Sequence, residues 1–182
     1  MKEKLIKFLA PILIGFGFLV YLTLFTVSEV QQAIVLQFGD PKRVIQIGIR
    51  GTMYDGEDIE WGKANGVTII MIEEFFERGI EDVMEQARKV CGNKPTYCSF
   101  DIDFIDPAFA PGTGTPEIGG PNSFEAQKVI RELKGMNLIG ADLVEVSPPF
   151  DPSGGTAYLG ISLVFELMCI LAEIIRKNPK KL

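Results

Sequence analysis

The sequence predicts an α/β fold, a parallel sheet covered by helices, preceded by one N-terminal transmembrane helix. Three observations lead there. Continuous apolar runs of strand length alternate with stretches of helical periodicity over the C-terminal three quarters of the chain. Two of those runs are followed by loops rich in Gly, Pro and acidic residues, Asp101 to Gly120 and Ser147 to Gly155, where a parallel α/β sheet keeps its ligand site. The third is an uncharged run near the N-terminus, Phe8 to Val27, of 20 residues.

That run, FLAPILIGFGFLVYLTLFTV, would rise about 30 Å as a helix, the thickness of a bilayer core. Pro11, Gly15 and Gly17 weaken a soluble helix and are better tolerated in a membrane. Lys2, Lys4 and Lys7 precede it, so the positive-inside rule keeps the N-terminus cytoplasmic and sends the following chain across. A cleaved signal peptide would have a shorter apolar core and a small-residue cleavage site, neither of which is seen. A buried core helix is the remaining alternative.

From Gln46 the texture changes. Gln46–Arg50 reads as a short strand, Asp58–Asn65 as a short helix stopped by Gly66, and Val67–Ile72 as a buried strand. Ile80–Val90 places Ile80, Val83, Met84, Ala87 and Val90 on one helical face, with Gly92 as the stop. Thr96–Asp101 is the next strand. Ser123 is the expected N-cap of a helix to Lys134, closed by Gly135. Leu138–Val146 is a further strand, and Thr156–Arg176 a long helix with Leu159, Leu163, Leu167, Ile170 and Ile174 on its buried side. This last helix is expected to cover the sheet and not to form a second span, because Glu166 interrupts its apolar run.

Composition removes several classes of function. The formal net charge is −6, and residues 46–182 carry 13 basic and 21 acidic residues. An acidic body lacks the footprint for a phosphate backbone, so no nucleic-acid partner is expected. The three cysteines, Cys91, Cys98 and Cys169, show no C-x-x-C spacing and read as reduced thiols. There is no histidine in the chain. This excludes Ser-His-Asp and Cys-His catalysis and restricts any metal site to oxygen donors, hence to ions such as Mg²⁺ or Mn²⁺.

The chemistry-bearing motif is Ser99-Phe100-Asp101-Ile102-Asp103, which ends a strand in two carboxylates two residues apart. Paired acids at a strand end repel one another and favour a cation between them. A solvated acidic turn, helped by Asp106-Pro107, is the plainer reading of D-x-D alone.

The flanking residues add weight to the first. SFDIDFIDPAFAPGTGTPEIGG, followed by DLVEVSPPFD, is similar to the C-terminal signature of the ureohydrolases, the arginase and agmatinase family, and is nearest to agmatinases and guanidinobutyrase-like enzymes. QIGIRGTMYD and SFEAQKVIRELKG fit the same family, so the resemblance covers about residues 46–176. It implies a three-layer α/β/α sheet, truncated here. It also implies Mn²⁺-dependent hydrolysis of a guanidinium compound, of the agmatine or guanidinobutyrate class, to urea and an amine. Asp101 matches the carboxylate bridging two Mn²⁺ ions and Asp103 a ligand of one of them. Glu145 matches the acid that receives the substrate guanidinium, and Thr113, Gly114 and Thr115 match the loop beside the site. Family members are mostly cytosolic homo-oligomers. Their Gly-Gly-Asp-His and Asp-Ala-His-x-Asp segments, which would precede Gln46, are absent. Two of six usual ligand residues are therefore present, and the chain alone is expected to be inactive.

In place of those segments stands SEVQQAIVLQFGDPKRVI, in which Ala33–Phe38 has strand composition and Gly39-Asp40-Pro41 marks a turn. With the basic start and single span it resembles the beginning of SPFH proteins of the stomatin, prohibitin and HflC type, over residues 1–45. That resemblance implies a membrane scaffold or protease regulator. Residues 1–45 and 46–182 are thus read as separate pieces, joined near Ile45–Gln46 as a fusion of unrelated reading frames.

Overall fold

The computed structural model describes residues 43–52 and 56–177. A boundary between two units falls at Asp40–Pro41, and all described residues belong to the second. The expected span over residues 8–27 and the strand-like run at 33–38 lie outside the described residues, as does Met53–Asp55.

The elements follow the alternation read from the sequence: β1 (Val44–Ile49), α1 (Glu57–Ala64), β2 (Val67–Met71), α2 (Ile72–Arg78), α3 (Ile80–Cys91), β3 (Thr96–Asp101), α4 (Ser123–Arg131), β4 (Leu138–Val144) and α5 (Gly155–Lys177). Strand β1 begins at Val44 and runs unbroken through Ile45 and Gln46, which pair with Thr68 and Ile69 of β2. Both strand pairings are parallel, β1 with β2 and β3 with β4. Among the described residues, however, they form two separate two-stranded sheets where a single sheet was expected. Parallel pairing is otherwise found in larger sheets with both faces covered.

Three boundaries differ from the sequence reading for local reasons. Ile72 leaves the strand to open α2, where Glu73 and Glu74 sit in the first turn and complement the positive helix end. The N-cap of α4 is Asn122 instead of Ser123. Its side chain accepts from the Phe124 and Glu125 amides at 3.0 and 2.9 Å, and Glu125 Oε2 accepts from the Asn122 amide at 2.8 Å. This reciprocal capping box satisfies donors that would otherwise lack partners. Finally, β4 ends at Val144, because Glu145 adopts a positive φ of 65°.

The core gathers one face of each helix. Ile80, Val83, Met84 and Ala87 of α3, four of the five residues predicted from its periodicity, are buried together with Ile130 of α4 and Leu163, Leu167 and Ile170 of α5, while Val90, the fifth, is only half-buried. Phe100, Phe104 and Phe75 pack edge to face in a chain, with centroids 5.8 and 5.5 Å apart, joining β3 to α2. Gly48 makes this packing feasible: its φ is +86°, and a Cβ there would meet the Phe104 ring at 2.4 Å. Helix α5 lies against β4 and α4, and Glu166 is held by Gln127 and Arg131 of α4 at 2.8 and 2.5 Å. By length and composition α5 could cross a bilayer, with a mean hydropathy of 2.0 over its most apolar window. Its packing against β4 and α4 agrees with the covering role expected for it.

Candidate functional site

The site is assembled at the carboxyl ends of β3 and β4. Their parallel register places Asp101 beside Val144, so Glu145 emerges one residue beyond the same sheet edge. Asp101 closes β3, and a short 3-10 turn, Ile102–Phe104, carries Asp103. The turn is fixed by its own acid: Asp101 Oδ1 accepts from the Asp103 amide at 3.0 Å. Ile102 and Phe104, on either side of Asp103, are buried and anchor the turn in the core. Sequence spacing alone placed both carboxylates correctly at the strand end.

Burial pushes the Asp101 carboxyl up to about 7, and the nearby negative charges of Asp103 and Glu145 act in the same direction. The Asp103 amide works against them by favouring the ionised form. Ionising this carboxyl beside two further acids is unfavourable, a cost that a neighbouring cation would offset.

Glu145 occupies a left-handed backbone conformation that costs a non-glycine residue roughly 1–2 kcal/mol. It is held there from both sides. β4 precedes it, and Val146 forms an antiparallel bridge with Thr113 immediately after it. The Ser147 amide donates to the Gly112 carbonyl at 2.8 Å, and the Gly112 amide donates to Thr156 Oγ1 at 2.8 Å. Of the predicted loop residues, Thr113 is thereby tied to the segment that follows Glu145. Thr115 Oγ1 donates to Asp103 Oδ2 at 3.1 Å, Thr113 is buried with its hydroxyl unpartnered among the described residues, and Gly114 is exposed between them.

Three residues that the sequence reading did not place in the site, Arg50, Asp106 and Asp151, complete the frame. Arg50, at the end of β1, donates through Nη2 to the Asp103 carbonyl at 2.5 Å and the Glu117 carbonyl at 2.8 Å, and through Nε to the Ile118 carbonyl at 3.2 Å. Gly120 leaves room for this arrangement, since a Cβ there would stand 2.8 Å from Arg50 Nη2. Asp106 accepts from the Ala108 and Gly119 amides at 2.9 and 2.8 Å, and these donors hold its carboxyl below the usual range. Asp151 caps α5 by accepting from the Ala157 amide at 2.8 Å and the Thr156 amide at 3.1 Å, which lowers it likewise. An arginine just past a strand and an acid a few residues before a helix were the available signals.

Mn²⁺, the ion implied by the resemblance, is not matched by a full donor set. Among the described residues no group of three or more His, Cys, Asp or Glu is gathered to hold a metal ion. Asp101 and Asp103 supply oxygen donors only, enough for one weakly held, largely hydrated ion. Cys91 and Cys98 offer no alternative. All three cysteines are free, and burial raises both thiols, Cys98 to about 11.

Comparison with known proteins agrees with this geometry. The Arginase family model matches residues 25–170, which includes both strand-end acids and Glu145. Guanidinopropionase of Pseudomonas aeruginosa is 55% identical over 134 residues, covering 74% of this chain and 42% of that protein. Guanidinobutyrase of the same organism is 47% identical over 138 residues, covering 76% of this chain and 43% of its own. The solved proclavaminate amidino hydrolase of Streptomyces clavuligerus superposes with a TM-score of 0.68 at 38% identity, over 74% of this chain and 44% of that one. The chain thus spans about two fifths of the length of the curated relatives it matches.

Proposed function

This chain belongs to the arginase family, and from that premise we propose that it carries the guanidinium-binding half of a ureohydrolase site, without activity by itself. The substrate class is a guanidino acid or agmatine-like amine, hydrolysed to urea and an amine once the site is complete. The observation that carries the reading is the convergence of Asp101, Asp103 and Glu145 at one sheet edge, with Asp101 held near neutrality by burial and by the other two acids.

In this reading Glu145 receives the substrate. A carboxylate presents two acceptors to the planar fork of donors on a guanidinium, and the bonds are charge-assisted. The strained backbone at Glu145 supports such a role, because an outlier held by surrounding bonds aims a side chain that an ordinary strand residue would not. Asp101 and Asp103 are the proposed metal carboxylates. The two of them cannot assemble a dinuclear centre, and no hydrolytic step is assigned to this chain alone.

Residues 1–45 support a separate and narrower proposal, an SPFH-like membrane anchor with a cytoplasmic N-terminus, fused to the body near Ile45–Gln46. It rests on the uncharged run Phe8–Val27 and the flanking lysines. The family match from residue 25 overlaps the second half of that segment. Homo-oligomer formation likewise remains a proposal by analogy.

The test is urea release from agmatine, 4-guanidinobutyrate and 3-guanidinopropionate by the purified full chain with Mn²⁺. No turnover above a Glu145→Gln control is expected. Turnover abolished by Asp101→Ala would overturn the reading of an incomplete site.

A further inference from the structure

The turns that lead into β3 and β4, together with the last turns of α5, line a cavity of about 290 Å³. It lies at the amino ends of those strands, whereas Asp101 and Glu145 stand at their carboxyl ends. Its volume is near the lower bound for small-molecule sites. None of the residues assigned to the candidate site lines it.

The walls are fixed by local bonds. Asn137 Nδ2 donates to the Asn93 carbonyl at 3.0 Å, and the Thr96 amide donates to the Asn137 carbonyl at 2.9 Å. These two bonds tie the turn before β4 to the turn before β3. Gly135, at a φ of 92°, allows the chain to reverse between α4 and β4, and the Met136 amide closes that turn on the Leu133 carbonyl at 3.1 Å.

The lining divides by chemistry. Met136 and Ile170 are buried and Ile174 packs against the core, so one part is apolar. The charged part is Lys134, Lys177 and Glu173. Glu173 accepts from Lys177 Nζ at 2.7 Å and from Lys134 Nζ at 3.1 Å, and the two ammonium groups hold its carboxyl below the usual range. The cavity therefore carries a net positive charge in a chain whose net charge is −6. An ammonium has three donors, and among the described residues Glu173 takes one from each lysine. Two ammonium groups that already share one carboxylate have donors left for a second. A cationic ligand would find no spare acid, since Glu173 is the single carboxylate in the lining. Phosphate would meet the charge but leave the apolar part in water.

We infer that this cavity is a second binding site, for a short aliphatic monocarboxylate, with its carboxylate on Lys134 and Lys177 and its hydrocarbon chain on Met136, Ile170 and Ile174. The inference goes beyond the ureohydrolase reading and does not depend on it.

The test is calorimetric titration of hexanoate into the purified full chain in detergent, with the heat of titration into detergent alone subtracted. Saturable binding of one hexanoate per chain is expected. Acetate should bind about tenfold more weakly or worse, because it leaves the apolar part uncovered. Inorganic phosphate should bind no better than acetate. Lys134→Ala with Lys177→Ala should weaken hexanoate about fivefold or more. The two lysine side chains are 65% and 60% exposed, so this variant is expected to melt near the parent. Lys134→Gln with Lys177→Gln, which keeps most of each stem, gives the same readout if the alanine pair does not fold. Absence of saturable hexanoate binding would overturn the inference. So would acetate or phosphate binding as tightly as hexanoate, because charge alone would then suffice. Hexylamine binding as tightly would do the same, because the hydrocarbon chain alone would suffice. An affinity for hexanoate indifferent to loss of both lysines would also contradict the assignment.

Discussion

The loop over Asp101–Asn122 and the outer face of α5 differ in how far each is satisfied by this chain. In the loop, polar groups are densely paired: Arg50 alone closes three backbone carbonyls, Asp106 takes two amides, and Thr115 reaches Asp103. On the outer face of α5, large apolar side chains stand in solvent. The first region is locally complete although its chemistry is not. The second is regular in pattern but lacks a neighbour among the described residues. A strand-end loop can be fixed by a few contacts within a short stretch of chain, whereas covering a helix requires another whole element.

That contrast makes graded predictions. The largest effect is expected from Arg50→Ala, which strands the carbonyls of Asp103, Glu117 and Ile118 in a half-buried loop. A loss of about 3 kcal/mol in urea unfolding is predicted, against a negligible effect if the loop is held by other contacts. Next is Asp151→Ala, which removes both cap bonds at the start of α5 and should cost about 2 kcal/mol by the same measurement.

Acid dependence gives the third prediction. Asp101 ionises near its ordinary value when unfolded but only at about 7 when folded. Between those values the folded chain holds the extra proton, so stability falls as pH rises from about 4 to 7. The contribution should be about 2 kcal/mol, half the full linkage value because the carboxyl keeps some solvent contact. Melting followed across that range should show the fall in the parent and a flatter profile in Asp101→Asn. The smallest effect is predicted for Ile161→Lys, within about 0.5 kcal/mol of the parent, because that residue is 69% exposed. A large destabilisation there would mean that the face is already covered.

The same contrast explains what was legible in the sequence. The periodicity of α3 and the apolar runs of β2, β3 and β4 are local signals, and their elements formed within a few residues of expectation. The D-x-D at the end of β3 is local too, and so is Glu145 once the β3–β4 register is set. Arg50 was missed because its partners lie 53 to 68 residues away, and no spacing rule links them. Asn122 was passed over for Ser123 because two capping residues stand side by side, and only the reciprocal bond from Glu125 chooses between them. The separation into two sheets was not legible, since pairing between strands depends on neighbours that a linear pattern does not reveal. The exposure of α5 escaped notice for a related reason. Its apolar residues fit either a covering helix or a doubly buried one, and only the surroundings decide.

The central claim, that Asp101, Asp103 and Glu145 are part of a site and not the whole of one, is tested most directly by calorimetric titration of Mn²⁺ into the purified full chain. The account predicts at most one weakly bound ion, lost in Asp101→Ala. Tight binding of two ions per chain, abolished by the same substitution, would contradict it.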